Sequence, residues 1–131
     1  YKGASFMQQL VYHPAWEKQL SHKDRQIIED VFEATYDVQN DILETPFIRA
    51  DFNHKGQLLV MVLIHNFTHR AIGINNKFVQ LSQGDFFCEQ QFTLPTRIAA
   101  FSSMPWTFIF EPNEAFEALD LSKLNLEIDT F

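Results

Sequence analysis

The hydrophobic pattern of the chain is organised around one uninterrupted apolar segment, residues 58–64. A turn-like run ending at Gly56 precedes the segment, and the polar pair His65 and Asn66 follows it. Seven residues are too few to cross a bilayer, which takes about 20, and many of them favour strands. The segment therefore predicts a central strand buried on both faces. Alternation assigns one face to Leu58, Val60, Val62 and Ile64, and the other to Leu59, Met61 and Leu63.

A different period marks the first third of the chain. Ser21 is a favourable N-cap residue, and Asp24 follows it three positions later as a weaker form of the capping box. Apolar residues then recur with the spacing of one helical stripe. The stripe consists of Ile27, Ile28, Val31 and Phe32. This pattern predicts a helix over residues 22–35, whose apolar stripe covers the second face of the central strand. Upstream, residues 6–12 are consistent with a short strand or an extended arm.

Short strand-like segments follow Pro46, separated by turn residues and most of them with period-two alternation. They are residues 47–52, 58–64, 70–74, 77–81, 86–92, 105–111 and 124–128. About seven short strands at this spacing predict a mostly β fold, an immunoglobulin-like antiparallel β-sandwich with the N-terminal helix packed on the sheet. Residues 1–131 are predicted to form one domain. Residues 1–45 would form its arm and helix, and residues 46–131 its sandwich.

Composition and charge narrow the class of partner. The chain has 131 residues, 46% of them hydrophobic, which suits a single globular domain. Its net charge of −7 repels phosphate backbones, and the sequence contains no basic cluster to offset this, so nucleic acid is not an expected partner. The single cysteine rules out an internal disulfide, which fits a reducing compartment, although many exported bacterial proteins also lack disulfides; the start of the chain does not resemble a leader peptide.

The candidate reactive residues do not form a catalytic or metal-binding pattern. His65 and His69 have a spacing that metal sites use on helices, but here they are interpreted as ordinary histidines at a strand end and turn. Cys88 alternates with Phe86, Gln90 and Phe92 and is interpreted as a buried structural thiol. The acids are dispersed, and the four glycines are scattered. The sequence therefore predicts no catalytic residues, no cofactor, no metal site and no enzymatic activity.

Outward aromatic residues provide the remaining functional signal. Phe87 alternates with Asp85 and Glu89, so its side chain is predicted to face solvent from a strand at a sheet edge. Exposed aromatics of this kind are candidates for protein-binding hot spots, and an extended partner segment could pair with the edge strand. Phe87, Asp85 and Glu89 are therefore the predicted partner-binding residues, and the acids favour a basic partner. Phe131 is likewise predicted to face outward, beside Glu127 and Asp129.

Several segments of the chain, taken in order, resemble one known domain. They are His13-Pro14-Ala15-Trp16-Glu17, Leu20-Ser21, Asp24-Arg25, Gly56-Gln57-Leu58-Leu59-Val60, Ala71-Ile72-Gly73-Ile74, Phe92-Thr93-Leu94-Pro95 and Ser102-Ser103-Met104-Pro105-Trp106-Thr107-Phe108-Ile109-Phe110. The domain is the SLAP-type repeat of accessory Sec system S-layer assembly proteins of bacilli. The Pro-Trp-x-Phe-x-Phe strand, together with the preceding Leu-Pro, is the most specific part of the resemblance, which extends from about residue 10 to residue 128.

The resemblance implies a non-enzymatic accessory factor. Such proteins assist the accessory Sec ATPase and channel in exporting S-layer proteins, and they act from the cytoplasmic side, so a cytoplasmic location or peripheral attachment at the inner face of the membrane is expected. Expected partners are accessory Sec export components, S-layer client proteins, or a second copy of the domain, without a membrane span. The alternatives are an extracellular immunoglobulin-like binding module of a larger bacterial surface protein, and an enzyme with a pocket between helix and sheet.

Overall fold

The computed structural model describes residues 8–36 and 43–129. Local sequence signals explain where several elements begin and end. Ser21 caps the long helix by accepting a hydrogen bond from the backbone N–H of Asp24 at 3.0 Å. The elements are β1 (Gln9–Leu10), α1 (Pro14–Glu17), α2 (His22–Thr35), β2 (Leu43–Glu44), β3 (Phe47–Phe52), β4 (Leu58–Asn66), β5 (Lys77–Gln83), β6 (Phe86–Phe92), β7 (Ser102–Phe110), a 3-10 helix (Glu114–Ala118) and β8 (Asn125–Ile128).

The strands form two sheets. The larger sheet has the order β1-β7-β4-β2, with β3 pairing along the same side of β4 as β2. The smaller sheet has the order β6-β5-β8. All pairs are antiparallel except β1 with β7, which is parallel. The predicted mostly β fold with a helix on the sheet is confirmed, whereas its immunoglobulin-like detail stays a prediction.

The main core lies on the face of β4 that carries Leu58, Val60, Val62 and Ile64, as alternation predicted. Side chains of both sheets meet there. The larger sheet adds Met104, Phe108 and Phe110, and the smaller sheet adds Val79, Leu81 and Leu126. Phe92 of β6 packs edge-to-face on Phe108, with ring centroids 5.0 Å apart. The interior therefore contains several packed phenylalanine side chains.

A second core lies on the opposite face of β4, beneath α2. Ile28 of the helix and Met61 and Leu63 of the strand are buried together, which confirms the predicted docking of the helix stripe on this face. Burial of large apolar side chains on both faces explains why β4 has an almost continuous apolar sequence. An ion pair between Arg49 Nη1 and Asp24 Oδ1, 2.9 Å apart, also joins β3 to the start of α2.

Two parts of the predicted strand order are wrong. Residues 70–74 do not form a strand, and their only ladder contact among the described residues is the isolated bridge between Ile72 and Ile98. A short strand, β2, comes instead from the N-terminal part that was predicted as arm and helix, and β1 lies within residues 6–12, where a short strand or an extended arm was predicted. The sheet therefore includes residues from both sides of the predicted division at residues 45 and 46. Among residues 8–36 and 43–129, none of the helices has the length and apolar character that crossing a bilayer requires.

Candidate functional site

The candidate site is the outer face of β6. A two-residue turn connects β5 to β6, and Gly84 occupies its first position with φ +56°, a conformation that favours glycine. The turn fixes the register so that Phe86 and Cys88 face the core and Phe87 faces solvent. The side chain of Phe87 is 60% exposed, the largest exposure among the described large apolar residues. Asp85 in the turn is also exposed, and so is Glu89, which lies two residues after Phe87 in β6.

Strand register places the neighbours of these residues on the same solvent-facing surface. Gln80 of β5 lies opposite Glu89 on one side and Glu127 of β8 on the other. Its amide donates to Glu89 Oε2 at 3.4 Å. The nine outward positions are Phe87, Ser82, Asn125, Glu89, Gln80, Glu127, Gln91, Phe78 and Asp129. These positions include three acids and no Lys or Arg, so this outer face is acidic.

The strand pairing also determines which backbone N–H and C=O groups of β6 point away from β5. Asp129 N–H donates to Phe78 C=O at 2.8 Å, so the backbone of Phe78 points toward β8 and away from β6. Hydrogen-bonded and non-hydrogen-bonded pairs alternate in antiparallel ladders. In the register of β5 with β6, the N–H and C=O groups of Phe87, Glu89 and Gln91 therefore face the free edge of the sheet. The outward side chains and the edge-facing backbone groups thus belong to the same residues.

Two neighbouring strand edges carry local caps. On β8, the Thr45 hydroxyl donates to Leu126 C=O at 2.6 Å. On β7 and at the residue just after it, the Gln90 side chain donates to Ile109 C=O and accepts from Glu111 N–H. Across residues 8–36 and 43–129, no side chain hydrogen-bonds to the edge-facing backbone groups of β6.

Pro105 adds a further block on β7. The backbone of Ser103 faces β1, since its C=O accepts from Val11 N–H, and alternation then directs Pro105 toward the same edge. Proline has no N–H to offer there. Sequence reasoning did not assign these capping roles. The alternation of Gln90 with the inward residues Phe86 and Cys88 was the one available signal, because it placed a polar side chain on an inner face.

His65 requires a correction, because it is not a turn histidine. It lies within β4, is fully buried beneath α2, and shares a face with Met61 and Leu63. Thr35 Oγ1 donates to Val31 C=O, so His65 Nε2 must donate to Thr35 Oγ1 at 2.7 Å. His65 Nδ1 then accepts from the Ser103 hydroxyl. Burial lowers the pKa of His65 from its ordinary 6.5 to about 4, which keeps the ring neutral near pH 7.

This buried network joins three elements, α2, β4 and β7, to Gln8 just before β1. Ser103 Oγ accepts from Gln8 Nε2 at 3.0 Å, and Gln8 Nε2 also donates to Asn66 C=O at 3.1 Å. A serine bonded to a histidine can form a nucleophile and base in an enzyme. Here Ser103 and His65 are both 0% exposed, and Ile28, Met61 and Leu63 fill the space between helix and sheet. Within the part of the chain that the structure describes, both side chains are therefore shielded from solvent.

Cys88 packs against the main core and is half-buried. Burial raises the pKa of the Cys88 thiol, which reduces the thiolate that attacks thiol reagents. We expect Cys88 to react with a disulfide reagent more slowly in the native domain than in the urea-unfolded chain at the same pH. The absorbance of the released thiol measures both rates. Equal rates in the two states would show that the thiol is open and reactive.

The remaining residues that the sequence singled out are the histidine pair, Phe131 and the predicted partner-binding residues. Among residues 8–36 and 43–129, no group of three or more His, Cys, Asp and Glu side chains is arranged to hold a metal ion. His69 is exposed, whereas both ring nitrogens of His65 have protein partners, so the structure does not bring the two together as ligands. Phe131 lies outside the described residues. The partner-binding role of Phe87, Asp85 and Glu89 stays a prediction, although the exposure of Phe87 agrees with it.

Comparison with known proteins identifies the family. The model of the SLAP domain matches residues 10–130, which is nearly the whole chain. No curated protein and no solved structure matches the chain. The match covers the helix, both sheets and the Pro-Trp-x-Phe-x-Phe strand, which lies in β7. The chain belongs to the SLAP domain family.

Proposed function

We propose that this domain is a non-enzymatic accessory factor of the accessory Sec export pathway, which assists secretion and assembly of S-layer proteins by binding other proteins. Membership of the SLAP family over residues 10–130 is the observation that carries the proposal. The domain would act from the cytoplasmic side, in solution or peripherally at the inner face of the membrane. Its partners would be accessory Sec components or S-layer clients.

The outer face of β6 is the proposed contact surface. It combines a 60% exposed aromatic side chain with the acids Asp85 and Glu89. Exposed aromatics supply much of the binding energy of protein interfaces, and surrounding charges select the partner and accelerate association. An acidic rim favours a basic partner. The long-range part of this attraction should weaken above about 0.15 M salt, where the screening length is about 8 Å.

A binding role suits the placement of the polar groups better than a catalytic role. The Ser103 and His65 pair is sealed beneath α2 and hydrogen-bonded on all sides to Gln8 and Thr35. The exposed acids Asp85 and Glu89 lie in the turn before β6 and on the outer face of β6. These observations support the proposal that the domain acts through its surface.

The Phe87→Ala substitution tests the proposed contact surface. Because Phe87 is mostly outside the core, its removal should change the free energy of unfolding by no more than about 0.5 kcal/mol. We expect recovery of accessory Sec components or S-layer client with the tagged domain to fall at least several-fold. Quantitative mass spectrometry of the co-purified proteins measures recovery, and urea unfolding measures stability.

Phe78→Ala is the matched control. Phe78 is also a phenylalanine on the outer face of the smaller sheet, 40% exposed, but it lies on the central strand β5. The control should retain partner recovery. If Phe87→Ala retains the partners but sharply lowers stability, Phe87 is a core residue and the surface assignment is wrong. Recovery of surface-anchored proteins alone would instead favour the extracellular binding module.

A further inference from the structure

We infer that the free edge of β6 binds an extended segment of another protein as an added antiparallel strand, with a Lys or Arg of that segment opposite Glu89. This inference rests on the proposed function and specifies the chemistry of the partner. The edge presents the backbone N–H and C=O groups of Phe87, Glu89 and Gln91. An added strand that pairs with all three residues can form about six backbone hydrogen bonds.

The contrast with neighbouring edges supports this assignment. Proteins block strand edges that must not pair, using prolines, covering groups and charges. On β7, Pro105 lacks an N–H. The Gln90 side chain hydrogen-bonds to the backbone groups of Ile109 and of Glu111, which follows β7. On β8, the Thr45 hydroxyl donates a hydrogen bond to the carbonyl of Leu126. Within the described part of the chain, β6 has no such side-chain cap, and it bears an outward aromatic beside its open backbone groups.

Charge determines which strand the edge accepts. A residue directly opposite Glu89 in an antiparallel pair would have its Cβ about 5 Å from that of Glu89, within reach of a salt bridge for Lys or Arg. Gln80 holds the Glu89 carboxylate on the sheet surface through its amide at 3.4 Å, and Glu127 lies on the far side of Gln80. A basic residue at this position would therefore meet an acidic row. An apolar residue two positions later in the partner would lie opposite Phe87.

The same charges disfavour pairing of β6 with β6 of a second copy. Two-fold pairing centred on Glu89 would place this acid opposite itself. Pairing centred on Phe87 would place Asp85 of each copy opposite Glu89 of the other. Like charges directly opposite each other destabilise a ladder, and each copy carries a net charge of −7. Both of these self-pairing registers are therefore disfavoured, whereas a basic residue opposite Glu89 is favoured.

A peptide probe tests the pairing with the whole domain. The probe is Ser-Thr-Val-Lys-Val-Tyr-Ser, acetylated, amidated and fluorescently labelled, so that antiparallel pairing sets Thr opposite Gln91, Lys opposite Glu89 and Tyr opposite Phe87. One control replaces its Lys by Glu. A second control keeps Lys but carries a backbone N-methyl group there, which blocks the ladder without changing the charge. Fluorescence anisotropy measures each Kd.

The expected result has two parts. The Lys probe should bind about tenfold more tightly than the Glu probe, and the N-methylated probe should lose most of the binding. In the Glu89→Lys domain the preference should reverse in favour of the Glu probe. Equal binding of the methylated and unmethylated Lys probes would overturn strand addition, as would an unchanged preference in the Glu89→Lys domain or no binding of the Lys probe.

These outcomes are separable from the proposed function. If Phe87→Ala loses the export partners but the Lys probe shows no N-methyl effect, the surface binds proteins by another mode and only this inference fails. If the probe pairs as expected but Phe87→Ala retains every export partner, the edge binds a basic strand and the proposed export role of this surface fails.

Discussion

The Ile28→Ala substitution should destabilise the domain by about 2–5 kcal/mol, because it leaves a cavity where α2 meets the larger sheet. Ile28 is 0% exposed and packs with Met61 and Leu63. A loss of this size is a large fraction of the stability of a typical domain. Urea unfolding followed by tryptophan fluorescence measures it as a lower midpoint with an unchanged slope.

Ile109→Ala is the matched control for this prediction. Ile109 is the same residue type but is 43% exposed on the outer face of β7, so its truncation should cost about 1 kcal/mol or less. If Ile28→Ala costs no more than Ile109→Ala, the helix does not contribute a packed core and the second core is wrongly described.

Acid should destabilise the domain through His65 by about 3 kcal/mol. The folded state holds the pKa of His65 at about 4, whereas the unfolded chain has the ordinary value of 6.5. Between these two pH values, the unfolded chain therefore binds a proton at His65 and the folded state does not. The contribution is fully present above pH 6.5 and is lost progressively as the pH falls toward 4. Urea unfolding across this range measures the slope of stability with pH.

Two variants isolate the histidine that is responsible. His65→Gln lowers stability near neutral pH, because it breaks the bonds to Thr35 and Ser103, but it should flatten the slope between pH 6.5 and 4. His69→Gln changes an exposed histidine and should leave the slope unchanged. Asp24, whose pKa is lowered by its hydrogen bond to Arg49, contributes mainly at lower pH. A slope that survives in His65→Gln would contradict this account of the buried ring.

Local periodicity predicted the parts of the fold in which a single pattern persists over many residues. The helix at His22–Thr35, the strand at Phe47–Phe52 and the two faces of β4 followed from spacing alone. These elements have one apolar side that must leave water, so their period is visible in the sequence. The outward direction of Phe87 was predictable for the same reason.

Elements that depend on distant partners could not be predicted in this way. The sequence left a short strand and an extended arm as alternatives for residues 6–12, and the strand β1 forms because it pairs in parallel with β7, more than ninety residues away. β4 continues through His65 and Asn66 because β2 pairs with them, although their polarity had indicated the end of the strand. Residues 70–74 alternate, but within the described part of the chain they make only one bridge, to Ile98. The edge caps at Thr45 and Gln90 likewise depend on contacts between sheets.

Hydrogen exchange of the whole domain, alone and with the purified accessory Sec ATPase or an S-layer client precursor, tests the central claim most directly. Edge amides exchange with solvent until a strand pairs with them. We predict that the bound partner slows exchange at the amides of Phe87, Glu89 and Gln91 and leaves those of β8 unchanged. Protection confined to α2 or β8, with β6 exchanging as in the free domain, would contradict the assignment of β6 as the binding edge.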